Sequence, residues 1–143
     1  MSVIVNDKGF RKDAWGGGFL AWDDTVLSDW EHAAGYAIDM PNTANPEDLQ
    51  PFFEDAAMIR IAFPSSHDGR GFSLARHLRL LGYRGRLRAN GHILSDQYAM
   101  ARRCGFDEVE ISDEMAARQP EDQWLFRADW RAHNYQARLR QPA

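Results

Sequence analysis

LARHLRLLGYRGRLR (Leu74–Arg88) and QYAMARRCGFDEVEI (Gln97–Ile111) align at an offset of 23 residues, with Gly82 over Gly105. Each unit runs from a helical stretch through a glycine and an aromatic, Tyr83 or Phe106, into a short extended run. Glycine at that point closes a helix in the left-handed conformation without a Cβ penalty. Upstream lies MIRIAF (Met58–Phe63), an apolar run of β-branched and aromatic type that reads as a strand. The order is therefore strand, helix, strand, helix, strand. Two such crossovers predict parallel pairing with right-handed connections. The expected fold class is α/β: a small single domain over 1–143 with a mainly parallel sheet flanked by helices. Its βαβαβ centre lies at about 58–111, and a half-barrel stays open as a variant.

The spacing predicts a first helix over about Phe72–Leu81, with Leu74, Ala75, Leu78 and Leu81 inward and Arg76 and Arg79 off that stripe. A second helix is expected from Ser95 as N-cap, with Asp96 in its first turn and Gln97, Met100, Ala101 and Cys104 facing inward. Gln97 would then be a polar residue on an apolar face, which requires a partner. Around this centre, YAIDMP reads as a strand and Pro46 onward as a helix broken near Pro51. Residues 24–34 read as a short helix, and KDAWGGGFLAW as a hairpin or a loop. The tail around Trp124–Phe126 fits either a strand or a helix.

A chain of 143 residues supports a full core without disulfides. Cys104 is the single cysteine, which predicts a reducing, cytoplasmic setting, and no run approaches a membrane span. Charge is segregated. Residues 1–59 carry 3 Lys/Arg against 11 Asp/Glu, whereas residues 60–103 carry nine arginines against Asp68 and Asp96. Arginine's planar fork suits two-point recognition of oxyanions, although GC-rich coding also enriches it. The acidic flanks and a pI near 5.7 disfavour nucleic acid as a partner.

Ligands of parallel α/β sheets bind beyond the carboxyl ends of the strands. There the first strand is followed by PSSHDGRG (Pro64–Gly71) and the second by NGHILS (Asn90–Ser95). Both loops are expected on one edge. Gly69, Gly71 and Ser73 would offer backbone donors at a helix start, and Arg70, Arg88, Gly91, His92, Asp96 and Gln97 would complete an anion-binding rim. Asp68 and His67 are the acid/base candidates, yet Asp68 fits an N-cap or turn equally well. His67 and His92 lack a third metal ligand at suitable spacing, so no metal site is assigned. No dinucleotide, Walker, GxSxG or HExxH signature occurs, and the cofactor stays open. The tryptophans are expected in core or interface positions.

HDGRGFSLARHLR, GYRGRLRANG, the DQ of Asp96-Gln97, RCGFDEVEI and the later Asp129-Trp130 resemble a bacterial family. It is the domain of unknown function numbered 934, whose members are often labelled oxidoreductases involved in sulfite reduction. The likeness is specific over roughly 58–111. It implies a place beside assimilatory sulfite reductase or another sulfate-assimilation enzyme. The residues and the likeness together point to an accessory protein that binds an anionic ligand or an acidic partner surface through the Arg/Gly loop. The alternative is an enzyme acting on a phosphate- or sulfate-bearing small molecule, with a small oxyanion or nucleotide as ligand. Homo-oligomerisation stays open.

Overall fold

The computed structural model describes residues 2–22 and 35–130. Its strands are β1 (Ser2–Asn6), β2 (Gly9–Lys12), β3 (Phe19–Ala21), β4 (Ala37–Met40), β5 (Met58–Phe63), β6 (Arg86–Gly91) and β7 (Glu108–Ser112). The helices are α1 (Arg70–Leu80), α2 (Tyr98–Cys104), α3 (Asp113–Arg118) and α4 (Glu121–Phe126), with 3-10 turns at Pro46–Phe52 and Ser95–Gln97. Strand order is β2-β1-β7-β6-β5-β4-β3. Strands β3 to β7 run parallel, while β1 joins β7 and β2 antiparallel. The βαβαβ centre is as the repeat predicts, and Gly82 and Gly105 both adopt positive φ, 106° and 110°.

Alternation along the strands gives the sheet two unlike faces. Ile38, Met40, Ile59, Ile61, Phe63, Leu87, Ala89, Val109 and Ile111 share one core with Leu74, Ala75 and Leu78 of α1 and Tyr98 and Ala101 of α2. The other face is charged. Asp39, Arg60, Arg88 and Glu108 lie in register across four strands. Asp13 reaches Arg88 there, Arg60 stacks 3.7 Å from the Phe19 ring centroid, and Arg86 lies 5.9 Å from Trp15.

Locally, two open alternatives resolve, the glycine run as a loop and the tail as a helix, and other expectations change. The hairpin turn is Asp7–Lys8, not the glycine run; there Asn6 Oδ1 accepts the Lys8 N–H and Gly9 adopts φ 111°. Gly16–Gly18 belong to a loop leading into β3. Tyr98, not Met100, fills the inner row of α2, because a 3-10 turn precedes that helix and rotates its register; Met100 is 47% exposed. Trp124 is buried in α4, so the tail packs as a helix. Trp15, Trp22 and Trp130 are half-buried. The expected helix at 24–34, and Trp30 with it, lies outside the described residues. No helix among the described residues is long and apolar enough to cross a membrane.

Candidate functional site

Parallel pairing of β5 with β6 sets Phe63 opposite Gly91, so the two loops that follow emerge side by side. They are then fastened together. The His92 N–H donates to Phe63 O at 2.9 Å. Gln97 donates through Nε2 to Ser66 O at 2.9 Å and accepts the Leu94 N–H through Oε1 at 2.9 Å. The polar residue that lacked a partner in the sequence is therefore the clasp between the loops.

In the first loop Asp68 is fully engaged. Its carboxylate accepts from Arg70 Nε, Nη2 and backbone N–H at 2.9, 2.7 and 3.2 Å, and from Asn42 Nδ2 at 2.9 Å. These donors, Arg70 foremost, hold its pKa well below the usual carboxylate range. Asp68 thus closes the turn that leads into α1, whose N-cap is Gly69, and stays ionised. An ionised carboxylate has no proton to give as an acid, and one with a depressed pKa and committed lone pairs is a weak base, which argues against the acid/base reading. Arg70 spends Nε and Nη2 on Asp68 while its side chain remains 62% exposed. His67 is exposed at the loop tip, as is Ser73 on the outer side of α1.

The glycines divide. A Cβ on Gly71 would lie 2.4 Å from Phe63 Cζ, and one on Gly91, whose φ is +129°, would lie 2.3 Å from Phe63 O. Both are needed to pack backbone against Phe63. A Cβ on Gly69 would meet nothing within 4 Å, so packing does not require glycine there.

Arg88 is corrected outright. It is the third residue of β6, wholly buried on the charged face, with Nε on Glu108 at 2.7 Å and Nη1 on Glu110 at 2.8 Å. The alternation that puts Ala89 in the helical core turns Arg88 away from the rim loops. Asp96 is exposed and paired with Arg127 at 2.9 Å, beside a neighbouring hollow of about 580 Å³ that Phe126 also lines. Ser95 is no N-cap: it is buried, and its N–H donates to Gln119 Oε1 at 2.6 Å.

A cleft of about 390 Å³ opens at the carboxyl ends of β5, β6 and β7. Ser66, His92, Ser112, Arg118 and Gln119 give it polar groups, with Leu94 and Met115 as apolar wall. Arg118 is 75% exposed and meets Glu114 at 2.5 Å. The Ser112 hydroxyl oxygen accepts the Met115 N–H at 3.2 Å, which leaves its proton available to a guest. Of the residues expected at the rim, only His92 lines this cleft. Ser66, Ser112, Arg118 and Gln119 were missed as site residues, although the polar SDE stretch at the end of β7 marks the same edge.

Comparison with family models places residues 37–143 in "Bacterial protein of unknown function (DUF934)". The chain belongs to this family. The matched region starts at β4 and so contains all three rim loops of this DUF934 protein, while β1, β2 and β3 precede it. Comparison with curated proteins and with solved structures gave no match.

Proposed function

We propose that this DUF934 protein is an accessory component of assimilatory sulfite or sulfate reduction that holds a small oxyanion in the rim cleft. The pathway rests on the family likeness. The binding reading rests on one observation: three strand-to-helix turns converge so that Ser66, His92, Ser112 and Arg118 surround a single cleft. Hydroxyl, ring and guanidinium donors around a partly apolar pocket are the usual equipment for fixing a polar anion. Arg70 is exposed on the loop after β5, but its charge is already met by Asp68. Glu114 opposes binding, so an incoming anion has to compete for Arg118.

The test is thermal stabilisation by sulfite, sulfate, phosphate and adenine nucleotides, with Arg118→Gln and His92→Ala as site variants. Ligand at about 100 times its Kd stabilises by roughly 2.7 kcal/mol. The reading expects a shift with at least one anion that both variants reduce. No shift with any member of the panel, or an equal shift in the variants, overturns it.

A further inference from the structure

Most arginines of the basic segment are consumed inside the molecule. Arg60, Arg70, Arg79, Arg86, Arg88 and Arg102 all bond carboxylates or backbone carbonyls. Arg76, Arg84 and Arg103 make no hydrogen bond or ion pair with the described residues. Arg84 stands in the turn before β6, but the other two share a location. Phe72, Arg76 and Arg79 follow one row of α1, at i, i+4 and i+7. The ends of that row touch the α2 unit. Phe72 meets the Phe106 ring at 6.5 Å between centroids, and Arg79 bonds Gly105 O through Nε and Nη2 at 3.0 and 2.8 Å. Arg76 therefore overhangs the seam between α1 and α2. Arg103 is exposed on α2, the helix whose C-terminal end α1 meets through Arg79 and Phe72.

Large apolar side chains accompany this charge. Leu80, one turn after Arg76, is 78% exposed, and Met100, one turn before Arg103, is 47% exposed. Exposed Leu and Met beside arginines that form no ion pair with the described residues match the make-up of a protein interface with a charged rim. We propose that the ridge of Arg76, Leu80, Met100 and Arg103 docks a protein partner that presents carboxylates around an apolar contact. This goes beyond the rim cleft and does not depend on it. The complementarity favours an acidic protein over nucleic acid. Two guanidiniums are too few to track a phosphate backbone, and the ridge offers aliphatic side chains where aromatic stacking platforms would be needed.

The probe is a fluorescent helical peptide carrying Glu on successive turns with Leu between them, added to the full chain and followed by anisotropy. Binding is expected to weaken about tenfold or more in Arg76→Glu/Arg103→Glu, and also in Leu80→Ser, and to fall with added salt. Lys12→Glu, which makes the same kind of charge change on exposed β2, should bind as the parent does. Circular dichroism checks the fold, and Arg76→Gln/Arg103→Gln replaces the reversal pair if that pair unfolds. Failure of the peptide to bind overturns the proposal, as does equal binding by the double variant. So does tighter binding of a short DNA duplex, or self-association of the protein that the double variant abolishes.

Discussion

Arg60 and Arg88 stand directly opposite each other on β5 and β6, yet both guanidiniums bond the same Glu110 Oε1, at 3.0 and 2.8 Å. Two like charges in register would repel. One shared carboxylate, with Asp39 beyond Arg60 and Glu108 beyond Arg88, turns the pair into an alternating mesh that leaves no buried side-chain N or O without a partner among the described residues.

Removing Arg88 should therefore cost more than its own contacts. Arg88→Met leaves Glu108 with Arg86 alone and Glu110 with Arg60 alone, close together on a buried face. Breaking a buried pair on one side costs about 3–5 kcal/mol, and the surviving arginines place the expected loss near the lower end, about 3 kcal/mol. Urea denaturation measures it. Adding Glu110→Gln to Arg88→Met should recover part of the loss, and a double variant less stable than the single one contradicts the mesh.

Gly71 and Gly69 offer a matched comparison within one loop. Gly71→Ala drives a methyl into the Phe63 ring, which also packs 4.9 Å from Phe72, so the ring has little room to retreat. Overpacking of this kind costs about 1–3 kcal/mol. Gly69→Ala meets open space at φ −85°, so the expected change is within about 0.5 kcal/mol. Equal effects at the two sites would show that the close helix–strand approach is not what Gly71 provides.

This contrast also shows what the sequence could reveal. The helix-closing glycines were legible because left-handed φ is a local demand, repeated at Gly82 and Gly105. Parallel pairing followed from the repeat itself. The antiparallel β1 was not legible, since nothing local in SVIVN states that Val3 will lie against Ile111, near the other end of the chain. Arg88 was misplaced because alternation gives the face of a residue only once the strand limits are known, and β6 extends to Gly91. Asp68, judged on residue type alone, could be a proton carrier or a cap. Only the four donors around it decide.

The Asp68 assignment predicts a pH signature. Its folded pKa lies below the unfolded value of about 3.9, chiefly through Arg70 and then Asn42. A depressed carboxylate contributes stability that is fully present above the unfolded pKa and is lost as pH falls toward the folded one. Asp68→Asn should thus melt lower than the parent near neutrality, and the difference should shrink steadily below about pH 4. A gap in melting temperature that persists unchanged at low pH would mean that Asp68 acts through something other than its charge.

Gln97 is the most direct test of the rim. Its Nε2 bond to Ser66 O ties the loop after β5 to the β6–α2 connection, its Oε1 bond to the Leu94 N–H lies within that connection, and only backbone atoms lie at the other ends. Leu94 is 42% exposed, so packing shields its amide only in part once the acceptor is removed. Gln97→Ala should cost about 1–2 kcal/mol globally, the scale of two such hydrogen bonds, and should speed exchange of the Leu94 amide by more than the global loss explains. That excess reports release of the Leu94 amide while the sheet stays folded. Oxyanion binding in the rim cleft should weaken alongside it, since Ser66 and His92 keep their relative positions through this clasp. If anion binding in Gln97→Ala equals that of the parent, the Phe63 bonds to the β6–α2 connection suffice and the cleft does not depend on Gln97.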